Sequence, residues 1–297
     1  MTNPWLKFDK KWKLSPMPSA NMPVFALASV WRSGSTLLQR LICSSPEILL
    51  WGEPYGDAAL IPNIVKSAKV LLRKEWPGLG HFPEYWNDEH AKSLYVHPER
   101  FWIANLYPLP KDIRNSFRSN LDTWLQQSAQ RYHRSRFGLK EVRLDGECAH
   151  FLEWIYPDAR FVFLMRNPWD AWRSYKGARW YFHWPDICVT KVEMFATIWK
   201  HNLKSFLAFQ GQENSLFVRF EEIAQETTIQ RLQEHCKLQH IQRDVLERKI
   251  RGMNKQPTEI STAEIQKIYQ ICGPLATQMG YKGPQQTIEP LLGDLFQ

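Results

Sequence analysis

The stretch VFALASVWRSGSTLLQRLI, Val24 to Ile42, carries three signals in succession. Residues 24–30 are almost wholly apolar, the pattern of a strand buried on both faces of a parallel sheet. A short Ser/Gly loop follows. Leu37, Leu38, Leu41 and Ile42 then share one face of a helix, with Gln39 and Arg40 turned elsewhere. Strand, glycine-bearing loop and helix start form a phosphate cradle, because the N–H groups of the loop and first helical turn converge on an anion. Against the Walker pattern GxxxxGK[ST], the first glycine falls on Ser29, the second on Gly34, the lysine on Ser35 and the hydroxyl on Thr36. The lysine that reaches β and γ phosphates is missing, and Arg32 lies three residues earlier. Alone, the loop has a second, weaker reading as a Ser-rich turn capping a helix.

Outward from that loop, strands alternate with helices. EILLWGEPYGD contains a second strand ending at Gly52, Glu53 and Pro54, and residues 58–73 are predicted helical. Prolines and aromatics break every period between 75 and 110, so 75–135 is expected to be an irregular and helical cap, with a long helix over 112–136. FGLKEV (137–142), ARFVFLMR (159–166) and SLFVRF (215–220) read as strands. ECAHFLEWIYP, NPWDAWRSYKGA and 189–209 read as helices, with Pro168 in the first turn where its missing N–H costs nothing. The remainder to CGPLATQMGYKG is mainly helical. This alternation predicts a single α/β domain over 1–297, with a parallel sheet flanked by helices on both faces.

The composition narrows the function. A formal charge of +8 favours anionic partners. No long Lys/Arg run marks a nucleic-acid arm, so an anionic small molecule is expected, with neither nucleic acid nor membrane as partner. The five cysteines are odd in number, widely spaced and form no CxxC pair, so neither a zinc ribbon nor a disulfide framework is indicated. The first twenty residues have no apolar signal core and no 18-residue apolar run occurs, so a cytoplasmic location is expected.

A second anion site is written in RNPWDAWRSY. Arg166 ends a predicted strand where a triphosphate enzyme would need an Asp to help hold Mg²⁺. Ser174 follows eight residues on, about two helical turns, and so faces roughly the same way. A guanidinium fork and a hydroxyl suit a phosphate. With RSGSTLL (32–38), LFVRFEEI (216–223) and MGYKG (279–283), this pair resembles the sulfotransferase family over roughly residues 24–283. The resemblance implies the family's P-loop-like three-layer fold and sulfuryl transfer from 3′-phosphoadenosine 5′-phosphosulfate, leaving adenosine 3′,5′-bisphosphate, with no metal required. It implies that Arg32, Ser33, Gly34, Ser35, Thr36 and Leu37 hold the 5′-phosphosulfate. Arg166 and Ser174 would hold the 3′-phosphate, with Arg251 a further contact. Lys140 is similar to the family's strand-end lysine on the donor's bridging oxygen or sulfate, and Arg143 joins it.

The proton acceptor is the open point. Family members acting on phenols and steroids have a histidine after the Lys-bearing strand; here Glu141 and Val142 stand there, and His183 is the one histidine near an interesting segment. The tyrosylprotein branch has a carboxylate after the second strand, which Glu53 matches. Glu53 is therefore the expected general base, with Glu141 as runner-up, and Lys140 and Arg32 the other expected catalytic groups. Trp169 and Trp172 read as core. Trp180, Tyr181 and Trp184, in a run too continuous for one amphipathic face, are expected to line an acceptor pocket with Glu53. Aromatic walls suit a flat or cationic acceptor. The expected acceptor is a small natural product with a hydroxyl or amine. Carbohydrate or protein tyrosine remain alternatives within the family, and a P-loop nucleotide kinase outside it.

Overall fold

The computed structural model of the chain describes residues 3–53, 58–73, 93, 96–100, 108–178, 181–184, 188–248 and 258–284. Five strands, β1 (Val24–Ala28), β2 (Ile48–Gly52), β3 (Arg136–Glu141), β4 (Arg160–Met165) and β5 (Ser215–Arg219), form one parallel sheet in the order β2-β3-β1-β4-β5. The reason β1 shows no alternation is now visible. Val24, Ala26 and Ala28 face one core, while Phe25 and Leu27 face the other. A strand sealed on both sides has no polar face to show.

Helices cover both faces, so the expected three layers are present. One core packs α2 (Ser35–Cys43), α6 (Pro168–Ala178), α7 (Val192–Phe206), α8 (Glu226–Cys236) and α9 (Thr262–Gln278) against the sheet. The other packs α1 (Trp5–Lys11), α3 (Leu60–Ala68), α4 (Pro110–Leu121, continued to Gln130) and α5 (Gly146–Ile155). The apolar stripe of α2 is buried as expected, and Trp169 and Trp172 are core residues. No helix among the described residues is long and apolar enough to cross a membrane.

Three local readings need correction. The long helix α4 begins at Pro110–Leu121, widens into a π-turn at Asp122–Gln126 and ends with Gln127–Gln130, not at 136. His133 adopts a left-handed backbone (φ 56°), which stops the helix and lets β3 begin at Arg136. The helix read from ECAHFLEWIYP begins one residue earlier, at Gly146, because the Asp145 carboxylate accepts the Cys148 N–H as its cap. The N-terminal helix α1 was not read from sequence at all; Trp5 stacks on Trp154 and buries it. Most of the 75–110 segment lies outside the described residues.

This topology fixes where chemistry can occur. The chain leaves β1 for β2 on one side and leaves the adjacent β3 for β4 on the other. Such a switch opens a crevice at the carboxyl ends of the strands, the usual ligand position in open α/β sheets.

Candidate active site

The loop after β1 is shaped from within. Ser33 is buried and its hydroxyl donates to the Val30 carbonyl at 2.7 Å, so its side chain holds the turn rather than facing an anion. Asn202 on α7 donates to the Ser29 carbonyl at 3.0 Å. Gly34 has φ 83° and precedes α2 with no side chain capping the helix start. Its lack of a Cβ is required twice, by that backbone and by the Phe220 ring lying against it. Arg32 also has a positive φ, 63°, a strained setting for a long side chain.

The two predicted anion sites meet through Arg32. Its Nε donates to Ser174 Oγ at 3.1 Å, and Arg166 Nη1 donates to the Arg32 carbonyl at 2.7 Å. Arg166 lies over the Phe220 ring at 4.4 Å, and its own carbonyl accepts the Trp199 indole N–H at 2.9 Å. Burial pulls both guanidinium groups, Arg32 and Arg166, below their usual range. Two desolvated cations side by side are costly until an anion joins them. The Nε of Arg166 is buried and has no hydrogen-bond partner among the described residues. These features fit a phosphate group: an orphaned donor, a neighbouring hydroxyl and an uncapped helix start. Thr36 is exposed and Ser35 buried at that helix start.

Glu53 follows β2 with φ 42°, and its N–H donates to the Lys140 carbonyl at 2.9 Å, extending the ladder by one residue. Its carboxylate is held by Lys140 Nζ on one oxygen and by Arg143 Nη1 on the other at 2.8 Å. Both cations are buried, whereas Glu53 is 28% exposed, so the carboxylate is the member that an incoming molecule can reach. Lys140 is thus not a solvated strand end. Glu141 is buried beside them. It accepts the Val142 and Arg143 N–H groups at 2.8 and 3.2 Å, and burial, then the Glu53 charge, pushes its carboxyl up to about 7.

Arg143 ties this cluster to the aromatic segment. Its guanidinium lies over Trp31 at 5.6 Å and Phe182 at 6.0 Å, and its Nε donates to the His183 carbonyl at 3.3 Å. Trp31 stacks on Phe182 and meets Trp184 edge-on. Tyr181 is exposed. The aromatic run therefore shares a wall with the loop and the cation cluster. Trp180 and Arg251 lie outside the described residues.

Sequence reading passed over one further network. Asn167 donates from its side chain to the Gly283 carbonyl at 2.8 Å and from its backbone to Glu221 at 2.9 Å; the other Glu221 oxygen accepts the Tyr281 hydroxyl at 3.1 Å. It joins RNP, FEE and GYKG behind Arg166. The signal was a polar residue directly after a core strand and an acidic turn after another.

Residues 23–242 match the model of a family described as the sulfotransferase family. No curated protein matches the chain. Among solved structures, the chain is similar to the sulfotransferase domain of the Synechococcus PCC 7002 olefin synthase, with 16% identity, a TM-score of 0.47 and coverage of 91% of this chain and 98% of that one. It is similar to the sulfotransferase domain from the curacin biosynthetic pathway, with 14% identity, a TM-score of 0.46 and coverage of 91% and 100%. A mouse sulfotransferase, SULT7A1, complexed with PAP aligns at 12% identity and a TM-score of 0.38, over 95% of this chain and 72% of that one.

Proposed function

This chain belongs to the sulfotransferase family, and we propose that it moves a sulfuryl group from 3′-phosphoadenosine 5′-phosphosulfate to a hydroxyl or amine of a small, natural-product-like acceptor. The observation that carries the reading is the position of Glu53. It is the reachable carboxylate at the carboxyl edge of the sheet, aimed by two buried cations beside an anion-binding loop.

The nucleotide, when bound, supplies the sulfuryl group to be transferred. The backbone of residues 32–37 and the Arg32 side chain hold its 5′ end, and charge growing on the leaving phosphate is stabilised by donors already in place. Arg166 and Ser174 hold the 3′-phosphate, with the unpartnered Nε of Arg166 as one donor. Glu53 accepts the proton from the acceptor's oxygen or nitrogen as that atom attacks. Lys140 turns from Glu53 to the sulfuryl oxygens, which frees the carboxylate for the proton. Tyr181 and Trp184 line the acceptor's side, where ring faces suit a flat or cationic body.

The test is transfer itself. The purified protein is incubated with the donor and a panel of phenolic, aliphatic hydroxyl and amine acceptors, and sulfated product is followed by mass spectrometry. Glu53→Gln is expected to lower kcat by about two to four powers of ten with donor affinity little changed. Near-normal turnover in that variant removes Glu53 as the base.

A further inference from the structure

We propose that Glu141 is a positioning residue that sets, through an Arg143 nitrogen it shares with Glu53, how firmly this end of the site holds a sulfuryl group. The inference rests on the donor assignment above and goes beyond it.

The geometry places four charged groups on two adjacent strand ends. Gly52 and Lys140 are register partners, so Glu53 and Glu141, the next residue on each strand, leave the sheet side by side. One nitrogen, Arg143 Nη1, lies 2.8 Å from Glu53 Oε2 and 3.6 Å from Glu141 Oε1. Lys140 closes the group on the far oxygen of Glu53. Glu141, Lys140 and Arg143 are all buried, so their charges are weakly screened.

The charge of this cluster depends on Glu141. With its carboxyl protonated, Lys140 and Arg143 face only the Glu53 carboxylate, and the cluster keeps one net positive charge to offer an anion. With Glu141 ionised, the cluster sums to zero. A second effect runs the same way. A neutral Glu141 leaves Arg143 to Glu53, whereas an ionised one draws the shared nitrogen toward itself. Burial and the neighbouring Glu53 hold the proton on Glu141 up to about 7. The site is thereby poised to change its grip near neutral pH.

Other titratable groups lie on this wall among the described residues. Tyr175 on α6 is pushed up to about 12, mainly by burial, and stays neutral throughout the range of interest. His183 lends its carbonyl to Arg143, and its variant is the control. Cys188, a free thiol, faces His183 across an antiparallel backbone pairing.

The experiment is calorimetric binding of 3′-phosphoadenosine 5′-phosphosulfate and of adenosine 3′,5′-bisphosphate, without acceptor, at pH 6 and pH 8.5. The proteins are wild type, Glu141→Gln, Glu141→Asp and His183→Gln. Comparing proteins at fixed pH cancels the titration of the nucleotides themselves. At pH 6 wild type and Glu141→Gln bind the donor alike. At pH 8.5 Glu141→Gln binds it about tenfold more tightly, the scale of one charge in a partly screened site. For the bisphosphate, which lacks the sulfuryl group, the two proteins stay within about twofold. Glu141→Asp weakens with pH as wild type does, and His183→Gln follows wild type. The same wild-type to Glu141→Gln ratio at both pH values, an equal effect on both nucleotides, or loss of the pH response in His183→Gln overturns the proposal. If neither nucleotide binds wild type, the donor assignment fails and this inference falls with it. A folded Glu141→Gln that still binds the bisphosphate separates that case from failure of the inference alone.

Discussion

Gly34→Ala tests the geometry of the loop more sharply than any charge change. Gly34 has φ 83°, and a Cβ built on it overlaps Cδ2 and Cε2 of Phe220. Left-handed backbone costs an L-residue about 1–2 kcal/mol. Forcing a methyl group into a packed contact costs about 1–3 kcal/mol more. The ring cannot step aside freely, because it is buried and lies under the Arg166 guanidinium at 4.4 Å. Gly34→Ala is therefore expected to lose about 3 kcal/mol of stability in urea unfolding. The two contributions separate in a double-mutant cycle with Phe220→Ala, which removes the overlapping ring atoms but leaves the backbone as it is. In the Phe220→Ala background Gly34→Ala should cost only about 1–2 kcal/mol. An equal cost in both backgrounds would refute the ring contact. A cost below about 0.5 kcal/mol in both would refute the left-handed turn as well.

Other expectations follow from the same contacts. Arg166→Met should weaken adenosine 3′,5′-bisphosphate binding by at least about tenfold, since a charge-assisted phosphate contact is lost; unchanged affinity in titration calorimetry removes the 3′-phosphate assignment. Glu141 rises from 4.5 to about 7 on folding. The folded protein thus keeps a proton that the unfolded chain has released, and stability falls as pH climbs from about 4.5 through about 7, then levels. Each tenfold in acidity is worth about 1.4 kcal/mol, so the loss is about 3 kcal/mol, and Glu141→Gln should show correspondingly less of it in urea unfolding between pH 5 and 8. An identical loss in both proteins contradicts the burial of that carboxyl. Asn167→Ala removes the hydrogen bond to the Gly283 carbonyl. It should raise amide exchange around Gly283 and weaken nucleotide binding; exchange at the wild-type rate counts against the network.

Much of the fold was legible because β1 and β4 are sealed on both faces. Their apolar runs name a parallel sheet before any partner is known, and α2 declares its buried face through Leu37, Leu38, Leu41 and Ile42. The end of α4 was not legible. Polar residues continue past Gln130, and only the backbone of His133 breaks the helix. The N-terminal helix was missed because seven residues are too few to show a period. At the site, Arg32, Glu53, Lys140, Arg166 and Ser174 could be named one by one, since each sits at a strand end, in the loop after one or in the helix that follows one. Their pairing could not. The grip of Lys140 and Arg143 on Glu53 follows from the register of Gly52 with Lys140, which no local pattern encodes. Arg143 is the clearest case. The resemblance implied only that it joins Lys140 on the donor, yet it also meets Glu53, Trp31 and the Phe182–His183 segment from three distant parts of the chain.

The central claim is that the loop without a lysine holds a nucleotide ending in sulfate rather than a triphosphate. Titration calorimetry of the wild-type protein, with adenosine 3′,5′-bisphosphate in EDTA against ATP with Mg²⁺, tests it directly. Saturable, metal-independent binding of the bisphosphate with little heat from Mg·ATP is the expected result. Tight binding of Mg·ATP with none of the bisphosphate would contradict it.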